Sequence, residues 1–297
     1  MIKRTIYIGN PSKLNVEKRQ LKILNYESGV INSVPLEDIA IIEIDSPQID
    51  LNSYLLIELN TYNIAVIYCK HHQPIGTGIA LFSNSIHTKR ILLQTGITNA
   101  LKKKLWKTTI EFKIKNQAKV LELNSKEYKS LLKLSELVKT GDSTNMEARV
   151  ARKYWKLLFG KDFKRGQFGD FPNPMLNYGY SIIRSAMTRA IVSAGLHPAL
   201  GIKHKNQYNP YCLSDDLMEA YRPYLDEIAV ELFQTIDEED YYLSREIKKD
   251  LISVLYIDTK ILGEIKPLMN SINITANSFV KSLEEKSNQL LFPNLWD

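Results

Sequence analysis

The pattern of hydrophobic positions changes near residue 80. Before that point, short runs of aliphatic and β-branched residues are separated by turn formers, which predicts β-strands. The predicted strands cover residues 4–8, 13–17, 20–25, 30–34, 39–44 and 64–69, and residues 51–62 are predicted to form a lone helix. Several short strands at this close spacing are typical of a small β-sandwich.

Helical periodicity dominates the rest of the chain, because apolar residues recur there at every third or fourth position. The predicted helices cover residues 89–100, 101–121, 126–139, 145–159, 175–194, 215–234, 244–257 and 259–290, the last one kinked at Pro267. Residues 71–78 are rich in turn formers and are predicted to be a linker. The expected fold class is α+β, with an N-terminal β-sandwich domain over residues 1–84 and a larger all-helical domain over residues 85–297.

The composition is that of a globular protein, with 44% hydrophobic and 24% charged residues. The longest unbroken apolar runs resemble residues 64–69, far short of the roughly 20 residues that cross a membrane. The first eight residues have the pattern of a strand rather than of a signal peptide. We therefore expect a cytoplasmic protein that does not associate with membranes.

Positive charge is concentrated between residues 89 and 119. Nine basic residues stand there against one acid, Glu111, so this segment carries +8 while the whole chain carries +6. A solvated helix face is the common explanation for such a run, and a nucleic acid or another polyanion is the alternative. The lysines that we expect to contact DNA phosphates are Lys102, Lys103, Lys104 and Lys107.

Two predicted helix starts carry acids that allow two interpretations. Thr144, followed three residues later by Glu147, has the form of a capping box. Ser214 has the form of a helix cap with acids behind it. Capping does not account for Glu219, which lies past the first turn and shares a face with Asp216. A divalent cation between neighbouring carboxylates is the alternative.

Three segments together resemble one protein family. Residues 145–155 (NMEARVARKYW) resemble the first signature of the CRISPR-associated integrases, the DNA endonucleases of CRISPR adaptation, and residues 201–223 resemble the second. Residues 174–180 are similar to the middle helix between them. The resemblance covers essentially the whole chain and is strongest to the type II branch. It implies an N-terminal β-sandwich used for dimerisation, followed by a helical catalytic domain.

The resemblance also implies a metal site. The family's ligand positions fall on Glu147, His204 and Glu219, and Asp216 matches a neighbouring acid that is a ligand in some branches and a supporting residue in others. Two carboxylates and one imidazole suit Mg²⁺ or Mn²⁺. The implied reaction inserts short foreign DNA fragments, called spacers, into a CRISPR array by attack of a 3′-hydroxyl on a repeat phosphodiester.

The partners implied by the resemblance are double-stranded DNA, a second copy of the chain, and a small ferredoxin-like adaptation protein that bridges two dimers. Two other classes of function stay open: a catalytically silent, basic nucleic-acid-binding adaptor on the same fold, and a helical scaffold whose acids only cap helices. Because loss of one ligand is enough to abolish catalysis, the presence of all three positions favours the enzyme over the adaptor.

Overall fold

Two four-stranded sheets form the N-terminal part of the protein. The computed structural model describes residues 3–79, 86–167, 169–236 and 242–295. The N-terminal elements are β1 (Arg4–Ile8), β2 (Ser12–Glu17), β3 (Gln20–Asn25), β4 (Ile31–Pro35), β5 (Ile39–Ile44), β6 (Ile49–Leu51), α1 (Ser53–Thr61), β7 (Ala65–Lys70) and β8 (Gln73–Gly78). One sheet has the order β1-β5-β7-β8 and the other the order β4-β3-β2-β6. The predicted strands and lone helix are confirmed to within two residues.

The sheet β1-β5-β7-β8 is covered on both faces. Val66 of β7 packs in the core between the two sheets, whereas its neighbours Ala65 and Ile67 pack against the helices. Successive side chains of a strand point to opposite faces, so one strand serves two cores. This sheet is the layer that joins the sandwich to the helical part of the chain.

The predicted linker at residues 71–78 is wrong. His71 and His72 have positive φ angles of 49° and 61° and form a two-residue turn, after which β8 pairs antiparallel with β7. Left-handed backbone at both central residues is the geometry of a tight hairpin turn, which turn-former composition does not distinguish from a linker. The predicted domain boundary at residue 84 lies outside the described residues, so the division into 1–84 and 85–297 stays a prediction.

Helices build the rest of the described chain: α2 (His87–Thr95), α3 (Asn99–Leu123), α4 (Lys129–Glu136), α5 (Met146–Phe159), α6 (Asn173–Ser193), α7 (Cys212–Met218), α8 (Arg222–Thr235), α9 (Arg245–Ile252) and α10 (Leu268–Glu284). The predicted helix over 215–234 is divided by one 3-10 turn, Glu219–Tyr221, between α7 and α8. The α+β fold class is confirmed. None of the helices described here is long and apolar enough to cross a membrane.

The predicted helix over 259–290 is wrong in its first part. Strands β9 (Asp258–Ile261) and β10 (Glu264–Pro267) form a hairpin there, turning at Leu262 and Gly263 with φ angles of 55° and 79°. Pro267 ends this hairpin and caps α10 instead of kinking a longer helix. Over so short a stretch, apolar residues three or four positions apart fit a twisted hairpin as well as a helix.

A buried polar network fixes the sheet to the helices. Asp45 follows β5 and contacts Lys248 Nζ of α9 at 2.7 Å and the Tyr7 hydroxyl at 2.5 Å. The Tyr178 hydroxyl of α6 donates its one proton to the Glu43 carboxyl of β5 and lies 2.8 Å from both of its oxygens. Buried charges are tolerated when they are paired and hydrogen-bonded, as these are. The network therefore ties β5 to two helices.

Glu43 makes stability depend on pH. Burial raises the pKa of its carboxyl from 4.5 to about 7, against the lowering effect of hydrogen bonds from Tyr178 and Cys69. Between these values the folded chain keeps a proton that the unfolded chain releases, so stability falls as pH rises from 4.5 towards 7. We expect the unfolding free energy of Glu43→Gln to fall by up to ~3 kcal/mol less than that of wild type over this pH range. Urea unfolding at pH 5 and pH 7 measures it, with exposed Glu37→Gln as the control; an unchanged decline in Glu43→Gln contradicts the prediction.

Candidate active site

Two of the predicted metal ligands meet at a lysine of the central helix α3. Lys113 is 8% exposed, and its Nζ lies 2.7 Å from Glu147 Oε1 and 2.6 Å from Glu219 Oε2. Glu147 lies in the first turn of α5, and Glu219 directly follows α7. Arg222 of α8 contacts the other oxygen, Glu219 Oε1, at 2.9 Å. Cations from α3 and α8 therefore hold together two carboxylates that are distant in sequence.

Lys113 is buried because of its place on α3. Ile110, three residues earlier on the same face, is fully buried, so a lysine at 113 points into the protein. Burial lowers the pKa of the Lys113 ammonium, but Glu219 and Glu147 outweigh this effect and raise it. Burial likewise raises the pKa of the Glu219 carboxyl, but Arg222 and Lys113 hold it below its ordinary value. Lys113 and Glu219 are therefore both charged at neutral pH.

Glu147 is not a capping-box residue, so the predicted box with Thr144 is wrong. Helix α5 begins at Met146, and the carboxylate of Asp142 accepts hydrogen bonds from the backbone amides of Met146 at 2.7 Å and of Glu147 at 3.0 Å. Positive φ angles at Asp142 and Asn145 fold the preceding loop back over the helix start. Because Asp142 provides the cap, the carboxylate of Glu147 is left to contact Lys113.

Asp216 positions His204. Its Oδ1 lies 2.6 Å from His204 Nδ1 and also accepts the His204 amide at 3.2 Å. Its Oδ2 accepts the backbone amides of Ile202 at 2.5 Å and of Lys203 at 2.9 Å. The hydrogen bond with Asp216 raises the pKa of the His204 imidazole, against the lowering effect of burial. With Nδ1 held in this way, Nε2 is the ring nitrogen that can face a ligand.

The predicted helix cap at Ser214 is also wrong. Helix α7 begins earlier, at Cys212, and Ser214 lies inside it, where its hydroxyl contacts the Thr188 hydroxyl at 2.8 Å. Asp216 and Glu219, three residues apart, have separate partners: Asp216 holds His204, and Glu219 holds Lys113. The structure thus gives Asp216 a positioning role and leaves Glu219 in the group with Glu147.

His204 stands at the edge of the carboxylate pair. Its ring meets Trp106 edge-on, with 5.9 Å between the ring centroids, and its charge interacts with that of Glu219. Within the described ranges, no three His, Cys, Asp or Glu side chains are arranged so that they could hold a metal ion. In this arrangement the Lys113 ammonium takes the space between the two carboxylates.

The chemistry of the donor set fits a divalent cation. Glu219 Oε2 is buried and lacks a hydrogen-bond donor in the described part of the chain, although Lys113 Nζ lies 2.6 Å away, so this contact is ionic without the geometry of a hydrogen bond. This oxygen, the Glu147 carboxylate and His204 Nε2 are the hard oxygen and imidazole donors that Mg²⁺ and Mn²⁺ accept. A cation shared by Glu147 and Glu219 would take the place that the Lys113 ammonium now occupies.

The lysines of α3 lie in two different environments. Lys103 and Lys104 are exposed, and Lys102 and Lys107 are half-buried, so these four predicted DNA contacts lie at the surface. Lys113, counted with them in the sequence, is instead buried among the acids. The run is thus not one solvated face.

A basic cleft of about 710 Å³ adjoins the acid group. Arg165, Arg184 and Arg222 line it, together with Asp215. The Arg184 guanidinium stacks on the Tyr211 ring at 5.0 Å, and the Nε atoms of Arg184 and Arg222 have no hydrogen-bond partner among the described residues. Guanidinium groups placed in this way fit phosphate oxygens. The three arginines come from separate segments, so no run of charge in the sequence marks them.

Comparisons with known proteins identify the family of this chain. The family profile described as CRISPR associated protein Cas1 matches residues 6–254. CRISPR-associated endonuclease Cas1 of Neisseria meningitidis serogroup C (strain 8013) is 32% identical over 296 residues, which is 98% of this chain and 96% of the relative.

Solved structures share the fold at lower identity. A casposase bound to integration product has a TM-score of 0.79 at 22% identity, over 98% of this chain and 92% of that one. A chain of a Cas6-RT-Cas1–Cas2 complex has a TM-score of 0.75 at 18% identity, over 97% of this chain and 36% of that one. From the profile and the Neisseria relative, this chain belongs to the Cas1 family of CRISPR-associated endonucleases.

Proposed function

We propose that this chain is a metal-dependent DNA integrase and endonuclease that inserts short foreign DNA fragments into a CRISPR array. The observation that carries the proposal is the meeting of Glu147 and Glu219 at one cation, with His204 held beside them by Asp216. Family membership and the likeness to a casposase bound to integration product support it. A silent adaptor would have no need to orient these three groups in this way.

In this proposal Glu147, Glu219 and His204 hold Mg²⁺ or Mn²⁺. When bound, the ion supplies charge neutralisation at the phosphoryl oxygens and makes the attacking 3′-hydroxyl of the DNA more nucleophilic. Asp216 keeps His204 Nδ1 occupied so that Nε2 is the donor. Arg222 neutralises the oxygen of Glu219 that faces away from Lys113. The chain itself provides no nucleophile in this reaction, because the DNA supplies it.

The basic surface of α3 and the arginine cleft would hold the DNA backbone. Cationic side chains that neutralise phosphates release condensed counterions, which gives affinity without reading sequence. Lys103 and Lys104 are exposed on α3, while Arg165 and Arg184 lie in the cleft that adjoins Arg222. Double-stranded DNA is therefore the proposed substrate, both as spacer precursor and as CRISPR repeat.

Reversing two of these lysine charges gives a test of the DNA surface. We expect Lys103→Glu with Lys104→Glu to weaken binding to all duplex sequences about equally. The slope of log affinity against log salt concentration should become shallower by about one for each lost phosphate contact. Gel-shift titrations at several salt concentrations measure this. Lys13→Glu with Lys18→Glu, on the sandwich, has the same change in charge and is the control. Unchanged affinity in the α3 variant would place the DNA on the arginine cleft alone.

The proposed partners are a second copy of the chain and a small ferredoxin-like adaptation protein that bridges two dimers. Large apolar side chains stand exposed on the sandwich, including Ile31, Ile57 and Tyr54, which are 64%, 58% and 52% exposed. Tyr54 and Ile57, three residues apart on α1, share one exposed face, and a contiguous apolar face favours a protein interface. The likeness to a Cas6-RT-Cas1–Cas2 complex supports the second partner. Sedimentation of the chain alone, and then with the adaptation protein, tests both.

A strand-transfer assay tests the function. The full chain, with its adaptation partner, is incubated with a short DNA duplex and a plasmid that carries a CRISPR repeat. We expect covalent joining in Mn²⁺ or Mg²⁺, and none in EDTA or with duplexes whose 3′ ends lack the hydroxyl. Joining at an equal rate in EDTA contradicts metal dependence, whereas binding without joining in every condition favours the silent adaptor.

A further inference from the structure

We propose that Lys113 is a built-in substitute cation, whose ammonium holds the place of the divalent ion in the metal-free protein and is displaced when the ion binds. This inference rests on the proposed metal-dependent function. Its basis is a single geometric fact: Lys113 Nζ lies between the same two carboxylates that the metal would share, 2.7 Å from Glu147 Oε1 and 2.6 Å from Glu219 Oε2. Lys113 thereby becomes a positioning residue for the site.

Space excludes simultaneous occupancy. Oxygen ligands lie roughly 2.0–2.6 Å from Mg²⁺ or Ca²⁺ ions in proteins, which is close to the two distances already taken by Nζ. An ion bridging Glu147 and Glu219 would therefore lie in contact with the ammonium. The lysine has a flexible four-carbon stem, so its charged end can leave without moving the helix backbone.

Charge leads to the same conclusion. The carboxylates of Glu147 and Glu219 are balanced by Lys113 and Arg222, so the metal-free group is neutral. Adding a divalent ion with Lys113 in place would leave two uncompensated positive charges in a largely buried site, which is costly. Departure of Lys113 removes one of them, and an incoming DNA phosphate supplies negative charge for the other.

The metal-free arrangement also explains why the acids stay together. Without a cation between them, two neighbouring carboxylates repel and one tends to take up a proton. Lys113 contacts both Glu147 and Glu219 and so holds the two carboxylates at one point before any metal arrives. Lys113 thus joins acids from two separate elements, α5 and the turn after α7.

The affinity for Mn²⁺ distinguishes a substitute cation from a purely structural lysine. We expect Lys113→Met to bind Mn²⁺ at least about tenfold more tightly than wild type, because a competing ammonium has gone. Isothermal titration calorimetry on the full chain without DNA measures this. The metal-free melting temperature should fall, and Mn²⁺ should raise it more than in wild type. Lys107→Met, on the same helix and 3.5 Å from Glu111, is the control and should leave Mn²⁺ affinity unchanged.

The outcomes distinguish this inference from the proposed function. Equal Mn²⁺ affinity in wild type and Lys113→Met overturns the substitute-cation role and leaves the metal site standing. Absence of Mn²⁺ binding in both proteins overturns both proposals. Tighter binding by Lys113→Met supports both.

A measurement on the wild-type chain covers the case in which Lys113→Met does not fold. Acylation of lysines, followed by mass spectrometry, reports whether an amine is shielded. We expect Mn²⁺ to increase labelling of Lys113 relative to Lys248, which is held by Asp45 far from the proposed metal ligands in sequence. Labelling of Lys113 that is unchanged by saturating Mn²⁺ overturns the inference.

Discussion

We expect strand transfer to fall by ~100-fold or more in Glu147→Gln, while duplex DNA still binds. Glutamine keeps the length of the side chain and a hydrogen-bond acceptor but loses the negative charge that a hard cation needs. Metal stabilisation of the transition state is worth several kcal/mol, and each 1.36 kcal/mol is a factor of ten in rate. DNA binding is retained because the proposed contacts, such as Lys103 and Lys104, lie elsewhere on α3.

The measurement is the strand-transfer rate beside a gel shift with the same DNA. Exposed Glu136→Gln makes the same chemical change on α4 and should keep the wild-type rate. Thermal unfolding of metal-free Glu147→Gln should show a slight loss of stability, since Lys113 loses one of its two partners. A folded Glu147→Gln protein that integrates at the wild-type rate would falsify the ligand role.

The largest effect on stability is expected at Lys248. Its ammonium is buried, lies 2.7 Å from Asp45 Oδ2, and faces the rings of Tyr7 and Tyr178 at 5.8 and 5.6 Å. Lys248→Met keeps most of the volume but leaves Asp45 with an uncompensated charge, and removing one partner of a buried ion pair costs about 3–5 kcal/mol. Urea unfolding at neutral pH measures this loss.

Two further variants make the Lys248 test specific. Lys249→Met, the next residue on α9, is exposed and should change the unfolding free energy by less than about 0.5 kcal/mol. Adding Asp45→Asn to Lys248→Met should restore part of the lost stability, because the stranded charge is then removed. A loss in Lys248→Met no larger than in Lys249→Met would show that the ion pair does not hold the sheet to the helices.

Local pattern determined most elements of this protein. Runs of aliphatic and β-branched residues between turn formers predicted β1, β3 and β5 at their observed bounds, because such residues favour buried strands. Helical spacing located the long helices α3, α5 and α6. Turn-former composition failed at 71–78 and helical spacing failed at 259–267, where tight turns with left-handed residues make hairpins. Turns of that kind depend on two or three residues, too few for a periodic signal.

The sequence also identified Glu147, His204 and Glu219 as the candidate ligands, through a family resemblance that is carried by the order of two signatures. The roles of the residues around them followed from the tertiary structure alone. Glu147 does not cap its own helix, because the carboxylate of Asp142 accepts the backbone amides at the start of α5. The supporting role of Asp216 follows from the loop before α7, whose backbone amides donate hydrogen bonds to its carboxylate.

Lys113 is the clearest case of a residue whose role only the tertiary structure determined. In the sequence it is one of nine basic residues between residues 89 and 119, a run for which a solvated helix face is the common explanation. Packing against α5 and α7 turns it inward, between acids that lie far along the chain. Periodicity encodes which face of a helix is apolar, but a charge becomes buried and paired only when another element brings its partner. The sequence therefore determined the elements and the candidate ligands, and only the tertiary structure decided which charges meet.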